Sequence, residues 1–174
     1  MEDKYNGLHN KLHNKLHNKL QIIFLKLVKI FNKKHGLVFT FHSRLKSEKS
    51  IHDKSLKTKI INDVIGFRIL NPWVTELYRL VKLLPEELSE FGISIKSKIL
   101  SEKNRVFHLE CIFQNTIFEL QLWPSTMYYC FEYEHSRIYK NNKITSENKQ
   151  LSKELRIKQH LLQDFIDKNK LVPY

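Results

Sequence analysis

Two alternating runs separated by two residues constrain this chain more than any other feature in it. Residues 105–113 (RVFHLECIF) place Phe107, Leu109, Cys111 and Phe113 on one side of an extended backbone. Residues 116–123 (TIFELQLW) place Phe118, Leu120 and Leu122 on one side, with Glu119 and Gln121 opposite. Gln114-Asn115 between them fits a two-residue hairpin loop, although the usual Asn-Gly signal is missing. So short a loop fixes the register, and it predicts Glu110 opposite Glu119 and His108 opposite Gln121 on the polar side. Two carboxylates in direct register repel. A cation between them or a shared proton relieves the tension. The same residues also read as a solvated outer face, so the hairpin alone leaves site and surface equally open.

Around the hairpin the chain reads as alternating helices and strands. L-H-N-K recurs over 8–20, with leucines at 8, 12, 16 and 20, and the pattern continues through Ile23, Leu27 and Ile30. This predicts one amphipathic helix to about Lys34, ended by Gly36. His9, His13 and His17 also recur at metal-binding spacing, but a repeated solvated face is the better reading. Residues 37–59 are polar and basic. Residues 64–70 (VIGFRIL) predict a buried strand, 73–91 a helix buried through Leu77, Leu80, Val81, Leu84 and Leu88, and 92–100 a strand carrying Ile93, Ile95 and Ile99. A helix from Ser125 to Lys140 would carry Met127, Cys130, Phe131 and Ile138, and a last one runs from about Glu147 to Lys168. The expected fold class is α/β (α+β), a mixed sheet flanked by helices. The expected divisions are a low-complexity helix (1–35), a central domain (36–142) and a C-terminal helix (143–174).

Lysine plus arginine exceed aspartate plus glutamate by 30 to 18, a net +12 that favours a polyanionic partner: nucleotide, RNA or an anionic membrane surface. Cys111 and Cys130 are isolated, which points away from a disulfide framework or zinc site and toward a reducing compartment. The apolar run from Gln21 to Phe31 is broken by Lys26 and Lys29, so no membrane span is expected and the default location is the cytoplasm. With only Gly7, Gly36, Gly66 and Gly92, the chain has no glycine-rich phosphate loop. Any triphosphate must be held by side chains. Arg44, Lys46, Lys54 and Arg68 are the candidates, and a carboxylate pair would take Mg²⁺.

Four segments in order carry a resemblance. R-L-K-S-E-K-S-I-x-x-K (44–54), D-V-I-G-F-R (63–68), E-L-Q-L (119–122) and E-H-x-x-x-Y-K (134–140) resemble the RelA/SpoT alarmone synthetase family, in the spacing of its small stand-alone members. The resemblance implies a nucleotidyltransferase-like synthetase fold and a GTP diphosphokinase-type enzyme that moves the β,γ-diphosphate of ATP to the 3′-hydroxyl of GDP or GTP. It implies that Arg44 and Arg68 flank the adenine and that Lys46, Ser50 and Lys54 hold the phosphates. Asp63 would ligate Mg²⁺, and Glu119 would share that metal or act as base. His108 and Gln121 would serve the acceptor side. A homo-oligomer is compatible with it.

Strict alternation would put Asp63 and Arg68 on opposite faces, so Asp63 must precede the regular strand or Gly66 must mark a bulge. The family's glycine-tyrosine, whose ring stacks on the acceptor guanine, is replaced by Lys103-Asn104, in a shorter loop. Its arginine-threonine after the E-x-Q segment is replaced by Trp123-Pro124. Phe107, Trp123 or Tyr128 could supply another stacking surface, though each reads better as core. These departures keep two other readings in view: a toxin-type variant that pyrophosphorylates the tRNA 3′ end, and a degenerate, non-catalytic nucleotide- or RNA-binding protein. No hydrolase half fits in the chain.

Overall fold

The hairpin forms in the expected register. In a computed structural model, residues 2–46, 51, 64–101, 105–134 and 146–170 are described, with backbone alone for 2–12 and 146–148. They comprise α1 (Glu2–His35), β1 (Thr40–Leu45), β2 (Ile65–Asn71), α2 (Val74–Ser89), β3 (Ile93–Ser101), β4 (Val106–Phe113), β5 (Thr116–Pro124), α3 (Ser125–Glu134) and α4 (Ser146–Asn169). Between β4 and β5, Glu110 pairs with Glu119 and His108 with Gln121. Gln114 and Asn115 take φ values of 49° and 61°. Two successive positive φ angles match the right-handed twist of the flanking strands, and the chain obtains them here without glycine.

The five strands form one sheet in the order β1-β2-β5-β4-β3. Only β2 and β5 are parallel neighbours. A parallel pair cannot be closed by a tight turn, and α2, β3 and β4 occupy the crossover between them. The mixed α+β architecture is therefore as expected.

One unread strand and the facing of one residue are corrected. Residues 40–45, read only as polar and basic, form the edge strand β1, antiparallel to β2. Its alternation is muted because an edge strand with a solvated outer face leaves its inward side chains only half buried. In β3 the register shifts between Ile95 and Ser97. One extra residue reverses the facing of everything beyond it. Ile93 and Ile95 point into the core, but Ile99 pairs with His108 on the polar side and is largely exposed.

The core lies between one sheet face and the helices α1 and α2. α1 contributes Leu16, Leu20, Phe24, Leu27 and Phe31, and α2 contributes Leu77, Leu80, Leu84 and Leu88. The buried stripe of α1 thus runs through Phe24 and Phe31, whereas Ile23 and the neighbouring Ile30 sit at its margin. The aromatic rings reach further onto the sheet: Phe24 stacks on Phe67 at 4.6 Å. Gly36, with φ of 64°, ends α1, its N–H bonding the Asn32 carbonyl at 3.1 Å. His17 stacks on Phe67 at 5.5 Å, and no cluster of three metal-binding side chains occurs among the described residues.

Among the described residues, the opposite face is covered only at one end, where Leu70, Val106 and Trp123 pack against Met127 and Tyr128 of α3. α4 lies on α3 and is tied to the corner after β2. Gln163 donates to the Pro72 carbonyl at 2.7 Å, and Asp167 accepts the Val74 N–H at 2.8 Å, capping α2. Both cysteines are free thiols, and burial pushes Cys111 up to about 12. No described helix is long and apolar enough to cross a membrane.

One ion cluster makes stability depend on pH. The buried Glu87 carboxylate accepts from Lys34 at 2.6 Å and contacts the His35 ring at 2.9 Å, pinning α2 to the end of α1. These two hydrogen bonds hold Glu87 below its ordinary value of 4.5. A depressed carboxylate contributes stability that is complete above the unfolded value and is lost as pH falls through the folded one. Urea midpoints should therefore fall below about pH 4.5 in the wild type, and Glu87→Gln should weaken that fall while lowering the midpoint at neutral pH. Identical pH profiles for the two proteins would exclude Glu87 as a source of the acid sensitivity.

Candidate active site on the polar face of the sheet

Beyond the end covered by α3, two rows of side chains cross the whole sheet on the face opposite the core. One row is His42, Arg68, Gln121, His108 and Ile99; the other is Arg44, Gly66, Glu119, Glu110 and Ser97. Each follows from strand alternation: Phe41, Phe67, Leu120 and Leu109 point into the core, so their chain neighbours point out. Five residues singled out from sequence, Arg44, Arg68, His108, Glu119 and Gln121, thus meet on one surface. Gly66 keeps regular pairing on both sides and marks no bulge. The strand begins at Ile65. Asp63 lies outside the described residues, as do Ser50, Lys54 and the Lys103-Asn104 pair. Lys46 follows β1 directly, its N–H bonding the Val64 carbonyl at 2.9 Å.

The facing carboxylates each find a partner on a different side. Lys96, at the β3 bulge, reaches Glu110 at 3.3 Å. His108 Nδ1 lies 3.1 Å from Glu119 Oε1. An ionised carboxylate only accepts, so this contact places the ring proton on Nδ1. Lys96 partly offsets the charge of Glu110, and Glu119, held by the His108 ring, stays a quarter exposed at 24%.

Arg68 is the most heavily anchored side chain of the site. Its Nε donates to Gln121 Oε1 at 3.1 Å, and its Nη1 donates to the Tyr128 hydroxyl at 3.3 Å and to Glu132 Oε1 at 2.8 Å. Its Cζ stands 5.3 Å from the Tyr128 ring centroid. Gln121 Oε1 also accepts the Trp123 indole N–H at 2.9 Å. That oxygen is doubly used, and the amide NH₂ has no partner among the described residues. Arg44 stretches over Gly66, where an added Cβ would lie 3.6 Å from its Cγ and Nε. The glycine leaves a floor on which this guanidinium lies.

Phe107, Trp123 and Tyr128, considered as stacking surfaces, are all buried. Glu134, the first residue of the last motif, is buried too. It pairs with Arg156 Nη2 at 2.9 Å and accepts from Ser152, locking α3 to α4. Two members of the site were not anticipated: His42, hidden in a segment not read as a strand, and Glu132. The spacing of Glu132, one helical turn after Tyr128, was the available signal. A cavity of about 700 Å³ near Leu37, Phe39, Trp73 and Tyr129 shares no residue with these rows.

No family model and no curated protein matches the chain. Solved structures do. Small alarmone synthetase 1 from Bacillus subtilis superposes with a TM-score of 0.75 at 17% identity, over 90% of this chain and 91% of that one. A GTP pyrophosphokinase family protein from Streptococcus pneumoniae gives 0.72 at 18%, over 91% and 94%. Small alarmone synthetase 2 from Bacillus subtilis gives 0.68 at 23%, over 87% and 90%. The first of these proteins has also been crystallised bound to AMPCPP and bound to its product pppGpp. The chain has the fold of these proteins along nearly its whole length.

Proposed function

We propose, from a fold shared with the small alarmone synthetases, that this protein is an ATP- and Mg²⁺-dependent pyrophosphokinase acting on the 3′-hydroxyl of a guanine nucleotide. The observation that carries the reading is the convergence of Arg44, Arg68, Glu119, Gln121 and His108 on one solvent-facing sheet surface. Arg44 and Arg68 lie in adjacent rows on neighbouring strands, a placement in which two guanidinium planes can enclose a purine. Lys46, Ser50 and Lys54 follow β1 in the chain and are assigned the phosphates. The Gln121 NH₂ and His108, next in that row, are assigned the acceptor.

Glu119 offers hard oxygen donors of the kind Mg²⁺ prefers, and with Asp63 it would hold the ion. When bound, Mg²⁺ would neutralise phosphate charge. In the transfer itself the acceptor's 3′-oxygen attacks the β-phosphorus in line. A new P–O bond forms, the bond to the α,β-bridging oxygen breaks, and AMP leaves. Where Glu119 serves as base it takes the hydroxyl proton, and His108 Nδ1 at 3.1 Å holds that carboxylate in place. The lysines assigned to the phosphates would supply charge stabilisation in the transition state.

The test is a transfer assay with γ-labelled ATP and Mg²⁺, offering GDP, GTP and bulk tRNA as separate acceptors. Label on GDP or GTP is the expected result. Label on tRNA alone would move the acceptor to RNA, and binding of ATP without transfer to any acceptor would make the protein a binding module.

A further inference from the structure

We propose that Glu132 is a positioning residue that reserves Arg68 for a nucleobase rather than for phosphate, an inference resting on the ATP-binding role proposed above. A guanidinium can be used in two ways: its in-plane N–H groups take phosphate oxygens, and its faces take aromatic rings. At Arg68 three of the five in-plane N–H groups are spent. Nε serves Gln121, and Nη1 serves both Glu132 and the Tyr128 hydroxyl. Tyr128 and Glu132 stand one turn apart on α3, so a single helix face supplies the carboxylate and the phenol together.

These bonds are made by the N–H groups at the edge of the guanidinium, and with the Tyr128 ring centroid 5.3 Å from Cζ a base needs only its remaining face. They hold a long, flexible side chain in one orientation before the ligand arrives, which removes part of the ordering cost of a stack. The carboxylate also repels any phosphate approaching the same edge. Glu132 therefore discriminates between the two ends of a nucleoside triphosphate at this arginine. Its side chain is 44% exposed on a surface helix, so its replacement is compatible with folding.

The experiment measures binding of ATP-Mg²⁺ and of inorganic tripolyphosphate-Mg²⁺ by titration calorimetry, on the wild type, Glu132→Ala and Glu132→Gln. ATP affinity should fall about tenfold in Glu132→Ala, with the loss appearing in KM for ATP rather than in kcat. Tripolyphosphate has no base, and its affinity should hold or rise. Glu132→Gln keeps a neutral in-plane acceptor and should recover most of the ATP affinity. Unchanged ATP binding by Glu132→Ala, or equal losses for ATP and tripolyphosphate, would overturn the inference while leaving the transferase reading intact. A wild-type protein that binds no ATP would overturn both.

Discussion

Glu119→Gln should lower diphosphate transfer by about a thousandfold or more while leaving the fold intact. The substitution is isosteric, and the new amide oxygen can still accept from His108 Nδ1, so the local geometry is kept. What disappears is the negative charge, and with it both an oxygen ligand for Mg²⁺ and a base for the acceptor hydroxyl. Stability should move the other way. Glu119 faces Glu110 directly across the hairpin, and removing one charge of a facing pair relieves a repulsion of roughly 0.2–1 kcal/mol. The expected signature is thus an inactive protein with an unchanged or slightly raised melting temperature. Glu110→Gln is the matched control: it relieves the same repulsion on the side held by Lys96. Transfer in Glu119→Gln within tenfold of wild type would remove Glu119 from the chemistry. A comparable loss in Glu110→Gln would mean that the charge pair as a whole matters, not Glu119 in particular.

The half of this site that lies on the hairpin was legible from sequence because strand alternation has a period of two and the loop has two residues. Those two facts determine which side chains face each other, and every pair from Phe107–Leu122 to Phe113–Thr116 follows from them. The partners of those residues were not legible. Ile99 lies beside His108 only because a bulge reverses the phase of β3, and one added residue leaves no compositional mark. Glu132 reaches Arg68 through a contact between elements far apart in the chain. Alternation within one strand says nothing about which helix will lie over it.

The helices were legible for a different reason. A 3.6-residue period over many turns is a long signal, and α1, α2 and α4 each have one. β1 failed because six residues at a sheet edge bury too little to stand out from the basic stretch that follows. Its cost to the sequence reading was His42, and the placement of Arg44 on a strand rather than in a loop. Trp123-Pro124 shows how a departure from the family pattern can be structural: the indole is buried against α3 while its N–H fixes Gln121.

Phe67→Ala should be the most destabilising single substitution in the chain, costing about 3–5 kcal/mol. Phe67 is 1% exposed and sits where α1 crosses the middle of the sheet. Its ring stacks on Phe24 at 4.6 Å and on His17 at 5.5 Å, meets Phe118 edge-on at 5.8 Å, and lies 6.0 Å from Phe41. Four rings from α1, β1 and β5 therefore converge on one side chain of β2, and truncation leaves a cavity that none of them can fill without leaving the others. Against a typical total of about 5–15 kcal/mol, that loss should bring a measurable unfolded fraction under ordinary conditions. Phe67→Leu keeps most of the volume and should cost markedly less. Urea unfolding measures both. Phe67 also separates fold from function, because its neighbour Arg68 points to the opposite face and shares no contact with this cluster. The folded fraction of Phe67→Ala should therefore bind ATP with wild-type affinity, and added ATP should raise its urea midpoint by mass action. A loss below about 1 kcal/mol would show that the core does not depend on this convergence. A large loss with weakened ATP binding in the folded fraction would show instead that the aromatic cluster sets the position of Arg68 through the strand itself.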